Sequence, residues 1–64
     1  MVKINGQESE VSGMTIAQYI ATTDYDIQRI AVEKNEQIVP KAQYETTVIE
    51  DGDSIEVVSF VGGG

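Results

Sequence analysis

Asp51-Gly52-Asp53-Ser54-Ile55-Glu56-Val57-Val58-Ser59-Phe60-Val61-Gly62-Gly63-Gly64 is the stretch whose reading decides the fold. Asp-Gly-Asp has the residue types of a tight turn, because Gly tolerates positive φ and Asp hydrogen-bonds its own backbone. Ile55 to Val61 is the most β-prone part of the chain, and its residues divide by period two. One face carries Ile55, Val57, Ser59 and Val61, the other Glu56, Val58 and Phe60. The strand then runs straight into three glycines. Without Cβ atoms such a segment is slim enough for a narrow channel, and it ends on the unhindered α-carboxylate of Gly64. A frayed terminus is the plain alternative.

Working outward from this strand, Val2 and Ile4 flank Lys3 and lead into Asn5-Gly6. Asn-Gly is the strongest two-residue hairpin signal, since a type I′ turn needs positive φ at both central positions. Strands at 1–5 and 7–11 follow, with Lys3 opposite Glu8 and Ile4 opposite Gln7. Ser12-Gly13 breaks the second strand. Thr15 with Gln18 forms a capping box, and Met14 with Tyr19 has hydrophobic-staple spacing. Ile16, Tyr19 and Ile20 make one apolar helical face that ends between Ala21 and Thr23. Ile30 to Glu33 reads as a strand, Lys34-Asn35-Glu36 as its turn, and Ile38-Val39 as a short strand confined to an edge by Pro40. Lys41 to Thr47 is irregular, with room for one helical turn. The order β-β-α-β-β-β predicts an α+β domain: a mixed sheet of four to five strands with one main helix across one face. The boundaries expected are a folded domain over 1–61 and a flexible glycine tail over 62–64.

Composition narrows the function. The chain has 64 residues, so it is one small domain with a marginal core. It has no cysteine and no histidine. That removes disulfides, the usual zinc ligands, the thiolate nucleophile and the commonest general base. The absence of cysteine fits a reducing compartment. The net charge of −7 comes from eleven acids against four bases, Lys3, Arg29, Lys34 and Lys41, which lie scattered. That balance argues against nucleic acid, whose binding needs clustered cations. It is compatible with a basic protein partner, and equally with acids that simply keep a small protein soluble. No signal peptide or membrane-spanning run is seen in the sequence, so cytoplasmic location is the simplest expectation.

Few side chains invite chemistry. Asp51-Gly52-Asp53 lacks the further ligands of a calcium loop and reads as a turn. Glu8 and Glu10 read as solvated strand positions, and Tyr19 as core. The glycines follow a strand but precede no helix, so they form no phosphate loop. No metal or cofactor is expected. If Ile55 and Val57 pack on the helix, Val58 and Phe60 lie on the opposite face beside the tail, where exposed apolar groups can mark a partner surface. The alternatives are that loop 40–50 folds over them, or that the strand parity is reversed.

Three stretches give the chain a resemblance to a known family: Met1-Val2-Lys3-Ile4-Asn5-Gly6, Asn35-Glu36-Gln37-Ile38-Val39-Pro40, and Asp51 to Val58. With the glycine end, they resemble the ubiquitin-like, β-grasp sulfur carriers, and within them the ThiS family of thiamine biosynthesis. Glu36 stands where the family pattern commonly has glycine, and Gly63-Gly64 match its Gly-Gly end. The resemblance implies a carrier acted on by partner enzymes rather than an enzyme. Gly64 is then the residue adenylated by an E1-like, ThiF-type enzyme using ATP and converted to a thiocarboxylate. A cysteine desulfurase system supplies the sulfur indirectly, and a ThiG-type thiazole synthase receives it. Gly62 and Gly63 carry Gly64 into the partner's active site, and Val58 and Phe60 are the docking candidates. The small subunit of molybdopterin synthase shares this tail chemistry. A non-covalent interaction module and a ubiquitin-like protein modifier are readings from other classes.

Overall fold

The computed structural model describes residues 1–60; the expected end of the last strand at Val61 and the tail at Gly62, Gly63 and Gly64 lie outside the described residues. Five strands, β1 (Val2–Ile4), β2 (Gln7–Ser9), β3 (Ile30–Lys34), β4 (Gln37–Val39) and β5 (Ser54–Ser59), form one sheet in the order β2-β1-β5-β3-β4. β1 and β5 run parallel, and the other neighbours are antiparallel. One helix, α1 (Ile16–Ala21), supplies Ile16 and Ile20 to the core. This is the expected α+β, β-grasp arrangement with a mixed sheet.

Local sequence explains the elements. Thr15 caps α1: its hydroxyl accepts the Gln18 N–H at 3.1 Å, and the Gln18 side chain accepts the Thr15 N–H at 2.9 Å. The first hairpin turns on Asn5 (φ 50°) and Gly6 (φ 83°). Both lie in the left-handed region that a type I′ turn requires. Its register pairs Lys3 with Glu8 and Ile4 with Gln7, as the two-residue loop predicts. β2 ends at Ser9 rather than running to Val11, which instead is half-buried against the core. A short 3₁₀ turn at Ile27–Arg29, unmarked by any hydrophobic period, is capped by Asp26, whose carboxylate accepts the Gln28 N–H at 2.9 Å. A second 3₁₀ turn at Lys41–Gln43 follows Pro40.

The connection from residue 40 to 50 folds against the helix side. Ala17 N–H donates to the Tyr44 carbonyl at 2.8 Å, and Ile16 N–H to the Thr47 carbonyl at 3.0 Å. Met14 and Ile49 are joined by an Ile49 N–H to Met14 carbonyl bond at 2.7 Å. Tyr44 and Ile49 are buried, and they complete the layer that six helical residues are too few to provide. The alternative of a loop covering Val58 and Phe60 is therefore not what is found; the segment lies on the other face of the sheet.

The second hairpin departs from ideal turn chemistry. Asn35 (φ 52°) and Glu36 (φ 69°) occupy the two left-handed positions. A Cβ at the second is strained. Replacing exposed Glu36 with glycine removes that strain, at some cost in unfolded-chain entropy. Glu36→Gly is expected to stabilise the domain by about 0.5–1.5 kcal/mol. Thermal unfolding checks this; the melting temperature should rise by about 4–8 °C per kcal/mol in a domain of this size.

Candidate functional site: the end of β5 and the outer sheet face

The site begins where β5 is gripped. On one edge β1 pairs Lys3 with Ser54 and Ile4 with Ile55, then turns away. The Asn5 side chain continues the pairing: its Oδ1 accepts the Val57 N–H at 2.8 Å, and its Nδ2 donates to the Val57 carbonyl at 3.3 Å. On the other edge Asn35 does the same near the strand's start. Its N–H donates to the Ser54 carbonyl at 2.8 Å, and its Oδ1 accepts the Ser54 N–H at 2.9 Å. The asparagine of each hairpin turn thus serves both its hairpin and the central strand.

Asp53 secures the turn before β5. It is almost wholly buried; its carboxylate accepts the Glu50 N–H at 2.8 Å and the Asn35 amide at 3.0 Å, with Lys34 Nζ at 3.4 Å. Burial by itself raises the pKa of this carboxyl, but the hydrogen bonds from Glu50 and Asn35 and the Lys34 charge outweigh it. The net result lies below the ordinary carboxylate value. Its carbonyl also accepts the Lys3 N–H at 3.0 Å, tying β1 to the same turn. The Asp51-Gly52-Asp53 motif is a turn, as its residues predict, and Asp53 in it is structural.

At the far end, Phe60 N–H donates to the Arg29 carbonyl at 2.7 Å, the last bond among the described residues between this end of the chain and the residues ahead of β3. Strand parity is as the alternation predicts over 55–58: Ile55 and Val57 are buried, and Glu56 and Val58 are exposed. Val58 is 54% exposed and Phe60 56%, side by side on the face away from α1. Gly62, Gly63 and Gly64 lie outside the described residues. Two further residues join this face that period-two reading of single strands does not find. Ala31 stands opposite Val58, and Ile38 on β4, 72% exposed, stands opposite Glu33 on β3. Only the register between strands reveals them.

Among the described residues no group of three or more His, Cys, Asp or Glu could hold a metal ion. Burial, with a smaller effect of nearby Tyr25, pushes the Tyr19 phenol above its ordinary value. Burial does the same to Tyr44, against a smaller lowering influence of the Val32 backbone. Both phenols stay protonated at neutral pH. No helix among the described residues is long and apolar enough to cross a membrane.

Residues 2–64 match the model of the ThiS family. The chain belongs to the ThiS family. It is 34% identical over 67 residues to the sulfur carrier protein ThiS of Bacillus subtilis, with each chain covered in full. It is also 42% identical over 62 residues to a thiazole synthase of Paramagnetospirillum magneticum, covering 95% of this chain but 19% of that protein. A second thiazole synthase, from Magnetococcus marinus, is 31% identical, and the chain covers 20% of it. The chain therefore spans about a fifth of these two longer relatives. In fold it is similar to the crystal structure of a thiamine biosynthesis protein (ThiS) from Geobacter metallireducens, with a TM-score of 0.78 at 22% identity. That superposition covers 98% of this chain and 97% of the other. Within the ThiS-family fold, this chain keeps the mixed sheet while placing Glu36 in a strained turn position.

The Asp53 carboxylate has a pH signature. Because its folded value lies below the unfolded value of about 3.9, its contribution to stability is present above that pH. It is lost as the pH falls through the folded value. Asp53→Asn is expected to cost about 1–3 kcal/mol at neutral pH by weakening buried acceptors. Urea titrations should show the gap between wild type and variant closing as the pH drops below about 4.

Proposed function

We propose that the chain is the sulfur carrier of thiazole formation in thiamine biosynthesis, a protein cosubstrate rather than a catalyst. The observation that carries this reading is the family match from Val2 through Gly64, which takes in the glycine end as well as the folded body. The relatives' names, a sulfur carrier and two thiazole synthases, support the same pathway and a thiazole synthase as one partner.

The chemistry is assigned to Gly64. A carboxylate is a poor acyl electrophile, so an E1-like, ThiF-type enzyme first transfers AMP from ATP to it and releases pyrophosphate. The outer sulfur of a cysteine persulfide, drawn from a desulfurase system, then displaces AMP to give an acyl disulfide. A second thiol attacks the cysteine-side sulfur, forming a disulfide and releasing the glycyl thiocarboxylate. The terminal sulfur is donated to a ThiG-type thiazole synthase. Gly62 and Gly63 carry no side chain that would hinder entry to a partner's active site, so residues 62–64 act as the reactive tail of the 1–61 body. Four residues beyond Phe60 give Gly64 a reach of at most about 14 Å. The body must therefore dock close to the partner's active site, and the exposure of Val58 and Phe60 supports assigning that contact to them. Such a partnership fits a cytoplasmic protein.

Incubation with the adenylating enzyme, ATP and a sulfur donor should change the intact mass by the difference between sulfur and oxygen at one atom. An unchanged mass with an enzyme of proven activity overturns the reading. Deleting Gly64 should leave the melting temperature unaltered while abolishing thiocarboxylate formation; a binding module would keep its activity, and a protein modifier would instead yield thiol-resistant adducts in cells.

Docking has its own test. Val58→Asp places a charge on an exposed apolar residue, so the fold should keep its stability, whereas the KM for the carrier in ATP–pyrophosphate exchange should rise about tenfold.

A further inference from the structure

The outer face of the sheet carries an electrostatic arrangement that the free molecule does not resolve. Glu33 on β3 and Glu56 on β5 are directly opposite each other. Side chains so placed have Cβ atoms about 4.5–5.5 Å apart, and like charges there are destabilising. Neither acid is neutralised by the ion pairs among the described residues, which join Lys34 to Asp53, Arg29 to Asp26 and the Met1 ammonium to Asp51. Lys3 faces the same way but stands opposite Glu8 on one side and Ser54 on the other.

The two acids are set among apolar neighbours. Ile38 continues their row onto β4, and Val58 with Ala31 makes the adjacent row. Val58 and Ile38 are exposed, and the connection at 40–50 that could have covered them lies on the other side of the sheet. A solvated sheet face is favoured by cross-strand charges of opposite sign or by neutral polar groups. Here two carboxylates repel each other between apolar side chains on a protein of net charge −7.

We infer that the face formed by Val58, Ala31 and Ile38 around Glu33 and Glu56 docks a partner surface that is apolar and carries an arginine or lysine placed between the two carboxylates. This rests on the carrier reading and names the chemistry by which the adenylating partner recognises the body. Charge complementarity argues for the occupant. A guanidinium or ammonium between the acids removes their repulsion, and the surrounding apolar contact lowers the effective dielectric and strengthens the attraction. A second copy of this chain would bring two more acids to the same place, which disfavours self-association through this face.

Stability and recognition pull in opposite directions here, because the acid pair weakens the free fold and strengthens the complex. In Glu33→Gln with Glu56→Gln, the melting temperature of the free carrier should rise by about 1–4 °C. In ATP–pyrophosphate exchange with the adenylating enzyme, its KM should rise about fivefold to tenfold with kcat unchanged. The wild-type KM should increase with salt from about 20 mM to about 200 mM, and the variant's dependence should be flatter. Glu56→Lys, which places a cation in the row, should raise KM further. A doubly neutralised variant that melts higher yet keeps the wild-type KM and salt dependence overturns the inference and leaves the carrier reading standing. Wild-type protein that supports no exchange with an active enzyme overturns both. Sedimentation showing a dimer dispersed by Ile38→Asp also overturns it, because this face would then be occupied by a second copy.

Discussion

The structure depends on β5 being held along both edges before the chain reaches Phe60. A central strand in a mixed sheet has a parallel neighbour and an antiparallel one, and their ladders have different spacing. Here the parallel neighbour, β1, is three residues long and matches β5 only at Ser54 and Ile55. Asn5 makes up the shortfall by presenting its side-chain amide to Val57 as though it were a further peptide unit. Asn35 closes the opposite edge at Ser54 and also donates to the Asp53 carboxylate. Both asparagines adopt positive φ, and each turn conformation lets its side chain reach β5. The hairpin signal and the central clamp are one and the same residue type used twice. The described part of β5 is consequently held along both of its edges.

Much of this was legible in the sequence, for identifiable reasons. Asn5-Gly6, the Thr15–Gln18 box and the alternation through Ile55 to Val58 are local signals, and each folds as its residues predict. The 3₁₀ turn at Ile27–Arg29 was not legible, because a three-residue element has no period and Asp26 as its cap resembles any loop acid. Tyr44 and Ile49 were hidden in a segment without periodicity; they enter the core through backbone bonds to Ala17 and Met14 that no spacing rule anticipates. At the candidate site, the exposure of Val58 and Phe60 followed from parity alone. Ala31, Ile38 and the opposition of Glu33 to Glu56 are properties of register between strands distant in sequence. The reading of the glycines at 62–64 as a chemical site rests on their residue type, and they lie outside the described residues.

Size accounts for the exposed face. A sheet needs a cover on each side to bury both faces. A chain of 64 residues has enough material for one cover. α1 is six residues long, so the 40–50 connection, with Tyr44 and Ile49, is drawn to the same side to finish the core. Among the described residues nothing is left for the outer face. An ordinary small domain would make that face uniformly polar, and its first rows are so, with Lys3, Glu8 and Ser54. Toward the end of β5 the composition changes to Ile38, Ala31, Val58 and Phe60, with Glu33 and Glu56 among them. That change occurs at the end of the sheet from which residues 61–64 continue. A terminus carrying sulfur, as proposed above, would gain from an apolar docking surface on the same strand, because docking through one raises the effective concentration of the other at a partner's active site. The strained turn at Glu36, the opposed acids and the uncovered apolar rows are each unfavourable for an isolated fold. The last two share the outer face of the sheet, where the docking proposed above would relieve both at once.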